Sequence, residues 1–157
     1  MYAMSADEAV EEWELGGDVL RLLVPAQKSA GTVSVLEGRI HGAGLPLHVH
    51  DDEDEVVVVL EGTLAYRVGD EEGTVDSGGL LWMPRLVPHA IANEGVSLCR
   101  FLTIATPGGI EDLFRAQSQY LASLPPGEAP DPVAMGKLDG AEKRRVIGPP
   151  LEPVEER

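Results

Sequence analysis

Two histidines one residue apart, His48 and His50, precede Glu55, and a third histidine, His89, follows later in the chain. On an extended strand, residues i and i+2 point the same way, so His48 and His50 aim both imidazoles into one space. Glu55 opens the next apolar run, where it can face them across a loop. His89 comes from a later strand, and closing a sheet into a barrel brings it round to the same point. Three imidazole nitrogens and one carboxylate oxygen suit one divalent transition metal (iron, manganese, nickel, cobalt or zinc) and leave positions open for water or a small-molecule substrate. The expected metal ligands are therefore His48, His50, Glu55 and His89.

Between the histidine pair and Glu55 stand Asp51, Asp52, Glu53 and Asp54. Four consecutive acids read as a solvated loop at the barrel mouth, with an electrostatic funnel for cations as the functional alternative. Glu53 is an alternative ligand to Glu55, but the spacing on both sides favours Glu55. His41, the fourth histidine, precedes a turn glycine and reads as rim.

The elements that must position these groups are short strands. DVLRLLV (18–24), TVSVLEGRI (32–40), LHVH (47–50), EVVVVLEG (55–62), TLAYRVGD (63–70), LLWMP (80–84), HAIAN (89–93) and SLCRFLTIAT (97–106) are β-rich runs. Gly and Pro separate them, with EEGTVDSGG forming a hairpin, and this pattern predicts an all-β sandwich or barrel over 18–106. Residues 1–17 form an N-terminal segment, and 107–157 a C-terminal helical extension and tail. In the extension, Leu113, Phe114, Gln117, Tyr120, Leu121 and Leu124 approach helical spacing, and Pro125-Pro126-Gly127 ends the helix. DPVAMGKLDGAEKRRV is read as a second short helix and GPPLEPVEER as extended or frayed. Val57 and Val59 share the parity of Glu55 and should line the cavity, with Val56, Val58 and Leu60 outside it. An unbroken apolar run implies burial on both faces, so something covers the outer face.

The spacing also resembles that of a known family. Gly42-x5-His48-x-His50-x4-Glu55-x6-Gly62 matches the first cupin motif at every specified position. Gly78-x5-Pro84-x-Leu86-x2-His89-x3-Asn93 matches the second except that Leu86 replaces a glycine, which puts that turn in question because leucine resists a positive φ. The resemblance spans residues 18–106. It implies a double-stranded β-helix, or jelly roll, and a small single-domain cupin similar to the quercetin-dioxygenase-like members. On that likeness the activity is a dioxygenase acting on an enol or phenol, with Glu55 both ligand and general base. Val57, Val59, Ile91, Tyr66 and Phe101 are the expected cavity walls. The alternatives are a non-oxidative cyclase, isomerase or decarboxylase, and a binding protein without turnover.

Bulk properties narrow the partners. Against 27 Asp and Glu stand 12 Lys and Arg, a net charge of −15, which repels nucleic-acid phosphates and anionic membranes. With 43% hydrophobic residues a core is feasible. One cysteine, Cys99, rules out an internal disulfide, and the acidic start carries no leader pattern, so a cytoplasmic protein is expected. Pairing of two copies over the covered outer face makes a homodimer the expected assembly, with the helix around Leu113, Phe114 and Leu121 as the alternative cover.

Overall fold

The computed structural model describes residues 3–5, 7–42, 44–95 and 97–151. The tail beyond 151, read as extended or frayed, lies outside them. Eleven strands are described: β1 (Glu11–Leu15), β2 (Asp18–Val24), β3 (Ser34–Ile40), β4 (Pro46–His50), β5 (Asp54–Glu61), β6 (Thr63–Val68), β7 (Glu71–Asp76), β8 (Leu80–Met83), β9 (His89–Asn93), β10 (Cys99–Thr106) and β11 (Arg144–Pro150). The two helices are α1 (Glu111–Ser123) and the single turn α2 (Pro132–Met135). One sheet runs β1-β2-β3-β10-β5-β8 and the other β11-β4-β9-β6-β7, an all-β arrangement as the strand pattern predicts and the two-sheet jelly roll that the resemblance implies. Strands from both flanking segments, β1 and β11, join these sheets.

Inward residues alternate as a pleat demands. Val57, Val59, Leu64, Leu81, Met83, Ile91 and Phe101 form one apolar cluster between the sheets. A second joins Trp13, Leu20, Leu22 and Leu36 to Ile110 and Phe114 at the start of α1. Each fully buried Leu or Phe contributes about 1.5–3 kcal/mol from water exclusion. Glu111 fixes the start of the helix. Its buried carboxylate accepts the Ser34 hydroxyl at 2.5 Å and the Ala26 N–H at 2.7 Å, so α1 is tied to the strand ends beneath it.

Three expectations need correction. The valine run of β5 is not buried on both faces: Val57 and Val59 are buried, whereas Val56, Val58 and Leu60 are half-buried. A continuous apolar run therefore marks an outer face only partly covered within this chain. The segment read as a second helix yields the one turn of α2 and a short turn at Ala141–Lys143, and Arg144–Val146 begin β11. Gly136 and Gly140 leave too few residues to sustain a helix, and the cations that follow are drawn to acids on the loop after β4. Finally, the Pro84 turn forms despite its leucine. Leu86 holds φ +64°, the turn closes through Val87 N–H to Pro84 O at 3.3 Å, and Leu86 N–H donates to His50 O at 2.8 Å.

Left-handed backbone costs a non-glycine residue about 1–2 kcal/mol, of which glycine's looser unfolded chain returns about 0.5–1 kcal/mol. The Leu86 side chain is exposed and contributes little packing. Leu86→Gly is therefore expected to raise unfolding free energy by about 0.5–1 kcal/mol, read by urea denaturation of the two proteins side by side.

Candidate metal centre

The four groups singled out by spacing converge. His48 and His89 are paired directly across β4 and β9, and His50 follows one pleat along β4. The three rings stand 4.5–4.9 Å apart between centroids. Glu55 lies on β5, in the facing sheet, and its Oε2 approaches His89 Nε2 at 3.4 Å and His50 Nδ1 at 4.0 Å. One ligand atom from each of the four falls within 4.8 Å of the others, and all four side chains are buried. The ring nitrogens are set by the backbone. His48 Nδ1 bonds to Pro46 O at 2.7 Å and His89 Nδ1 to Val87 O at 2.9 Å, which leaves both Nε2 atoms directed to the common space. Among the described residues His89 Nε2 has no hydrogen-bond partner although it is buried, an orphan that a bound cation would satisfy.

Protonation is already what a cation requires. Burial is the main force lowering His48, to about 4, with the neighbouring His89 adding to it and Glu55 opposing. Burial likewise lowers His50 to about 3 against the pull of Glu55. Burial pushes the Glu55 carboxyl upward, but the His89 ring and the fields of the other imidazoles outweigh it and bring it down to about 2. At neutral pH, the neutral imidazoles of His48 and His50 thus stand beside the ionised carboxylate of Glu55. Such a donor set fits a divalent transition metal, and the buried cluster could hold one.

The acidic loop differs from the solvated loop expected. Each of its acids meets a cation: Asp51 with Arg145 at 2.9 Å, Asp52 with Lys143 at 2.8 Å, Glu53 with Arg144, and Asp54 with Arg85 at 2.8 Å. Three of those cations are the consecutive Lys143-Arg144-Arg145. Glu53 and Arg144 are buried, whereas the other pairs are partly or fully exposed. Burial raises the Glu53 carboxyl while Arg144 pulls it down. Charge complementarity between DDED and KRR was the sequence signal for this contact. His41 is exposed, as its place before the turn predicts. Asn93, at the end of the second motif, organises the next turn by donating to Ser97 O at 2.7 Å and accepting from Gly95 N–H at 3.1 Å.

A cavity of about 80 Å³ opens from His48, Glu55 and His89. Its walls are Leu20, Leu36, Ile40, Met83, Ile91, Thr103 and both phenylalanines of the chain, Phe101 and Phe114, with Ile110 contributed by the start of α1. Of the expected walls, Ile91 and Phe101 are present. Val57, Val59 and Tyr66 belong instead to the packed cluster between the sheets, because parity decides which way a residue faces but not how far along the barrel it sits. A larger polar cleft of about 520 Å³ lies outside the acidic loop, and none of the four donors lines it.

Residues 33–105 match the family model described as Cupin domain. No curated protein matches the chain. Among solved structures it is similar to a predicted oxalate decarboxylase from Thermotoga maritima (18% identity, TM-score 0.59, covering 68% of this chain and 99% of that one). The polyketide cyclase RemF from Streptomyces resistomycificus is similar at 24% identity and a TM-score of 0.56, over 68% and 79% of the two chains. The cupin domain of Schizosaccharomyces pombe Cnp3 gives 17%, 0.55, 68% and 74% in the same order. At these identities the likeness is one of fold. Among the described residues no helix is long and apolar enough to cross a membrane.

Acid should undo the metal-free site in a defined window. Unfolded, His48 and His50 take protons near pH 6.5, but in the folded chain only near 4 and 3. Above 6.5 neither state binds these protons and stability is flat. Below it the unfolded chain binds more, so stability falls with pH, approaching about 1.4 kcal/mol per pH unit for each histidine. Glu55, at 4.5 unfolded and about 2 folded, extends the loss in the same direction below 4.5. Melting curves of chelator-treated protein from pH 8 to 4 are expected to bend near 6.5, with a shallower slope in His50→Gln.

Proposed function

We propose that the chain is a metal-dependent enzyme, a dioxygenase acting on a small enol- or phenol-type substrate in the manner of quercetin-dioxygenase-like cupins. The observation that carries the reading is the opening of the donor cluster into a mostly apolar cavity that Asp18 also lines and that, among the described residues, no lysine or arginine lines. A substrate there can bear negative charge only beside the donors, which suits an ionised enol or phenol with a hydrocarbon body. A dicarboxylate would place its second charge against apolar walls. A cavity of about 80 Å³ also favours a substrate smaller than a flavonoid.

In this reading His48, His50, Glu55 and His89 would hold one divalent ion (iron, manganese, nickel, cobalt or zinc), which when bound supplies Lewis acidity and, if redox-active, access to dioxygen. Glu55 is the catalytic residue: ionised and buried at the cavity edge, it accepts the substrate's hydroxyl proton. Phe101, Phe114 and Ile110 orient the hydrocarbon body and keep water out. The fold likeness to a polyketide cyclase favours a non-oxidative cyclase, isomerase or decarboxylase as the second reading, since the same donors serve Lewis-acid chemistry equally.

Elemental analysis of protein purified without added metal identifies the ion, and dioxygen uptake with a panel of small enols and phenols reads the chemistry. Uptake with two oxygen atoms gained by the product is expected, collapsing in Glu55→Gln with metal retained and unchanged in Asp52→Asn. Turnover without uptake assigns the second reading. Metal and ligand binding without turnover assigns a binding protein.

A homodimer accompanies this proposal. On the outer face of one sheet, exposed Leu80 and Trp82 on β8 lie opposite Val58 and Val56 on β5, which in turn face Leu102 and Ile104 on β10. The alternative cover, α1, packs through Ile110 and Phe114 against Trp13, Leu22 and Leu36. A second copy seated on the β8 face accounts for the apolar strip. Sedimentation at micromolar concentration is expected to give a dimer, and Trp82→Glu a monomer.

A further inference from the structure

His50 is oriented differently from the other two histidines. His48 and His89 each give Nδ1 to a carbonyl two residues earlier, whereas His50 Nδ1 is buried and has no hydrogen-bond partner among the described residues. Of the two carboxylates beside it, Glu53 Oε2 at 3.5 Å is closer than Glu55 Oε2 at 4.0 Å. That oxygen is also buried and without a hydrogen-bond partner. The other oxygen of Glu53 is taken by Arg144, which stands directly opposite His50 in the β11–β4 register and donates a second time to Gly140 O at 2.8 Å. Glu53 is 3% and Arg144 6% exposed, so this carboxylate is neither a surface charge nor one of the four converging donors.

We propose that Glu53, locked by Arg144, is a positioning residue that accepts the Nδ1 proton of His50 and so leaves Nε2 as the metal-binding atom. The pairing joins two buried orphans by a movement of a few tenths of an ångström. A carboxylate acceptor makes the imidazole a stronger donor than a carbonyl does, and outer partners of this kind are typically worth 10–100-fold in metal affinity. Arg144 has two effects. It neutralises a carboxylate that would otherwise be buried beside Glu55, and it carries the edge strand β11 into the support of the site. The inference rests on the reading of the four donors as metal ligands.

Co²⁺ serves as the probe, its affinity measured by chelator competition and its visible absorption recording the donor set. Wild-type protein is expected to bind one Co²⁺ and His89→Ala to lose it. Removing Glu53 alone strands a buried arginine, so the decisive variant is Glu53→Leu with Arg144→Met, which replaces the pair by apolar groups of similar volume. That protein is expected to fold, to bind Co²⁺ 10–100-fold more weakly, and to lose one downfield imidazole N–H resonance in its Zn²⁺-loaded NMR spectrum. Glu53→Gln, which keeps an acceptor, is expected to recover part of the affinity. Wild-type affinity in the folded double variant, or an unchanged set of imidazole resonances, overturns the role of Glu53. Absence of Co²⁺ binding in the wild type overturns the ligand reading itself and this inference with it.

Discussion

A carboxylate and three imidazoles are held against one another where most of the surrounding side chains are hydrocarbon, and much of the structure serves to make that placement tolerable. An isolated buried carboxylate is costly, and protonated imidazoles beside it would be costlier still once desolvated. The chain resolves half of this by itself, because burial keeps the two histidines of β4 neutral at physiological pH. Glu55 stays ionised among them, and a cation is its natural complement. The pleat supplies the rest of the geometry. His48 and His89 face each other across β4 and β9, and the same local contact, ring nitrogen to a carbonyl two residues back, recurs on both strands. Glu55 enters from β5, flanked by β8 and β10, so its backbone is paired on both sides.

Charge around the mouth is arranged in two tiers. Exposed pairs such as Asp52–Lys143 are screened by water and mainly relieve repulsion among neighbouring acids. The buried Glu53–Arg144 pair is of another kind, since breaking it leaves a stranded ion inside the protein. It also sets register. Arg144 is buried where Arg145 is exposed, and a slip of one residue would exchange them, leaving Glu53 without its partner.

What could be read from the sequence follows the range of the interactions involved. The donor set, the strand runs and α1 depend on neighbours within a few residues, and spacing reports them directly. β11 does not. Arg144 to Pro150 shows no apolar alternation and contains two prolines, and its pairing with β4 is organised by ions contributed from the loop after β4. Cavity walls failed for a related reason. Parity places Val57 and Val59 inside, but their depth depends on how the sheets converge, and the cavity is finished by Leu20 and Phe114 from the flanking elements. Leu86 shows the limit of residue-type rules: a leucine occupies left-handed backbone where its amide reaches the carbonyl of His50.

The position of β11 at the edge of its sheet has a kinetic consequence. Residues 53 and 144 are 91 apart in the chain, so during synthesis the histidines of β4 and the acids of the loop emerge long before the cations that pair with them. An ion captured early would be held by loosely oriented groups, and docking of the final strand would then slow its escape. Departure would follow the same path in reverse. Val146 and Ile147 are exposed and, among the described residues, β11 has a neighbour on one side only, so fraying this edge costs less than opening the barrel. Exchange of the ion would then be governed by a local opening at the rim, on a timescale set apart from that of global unfolding.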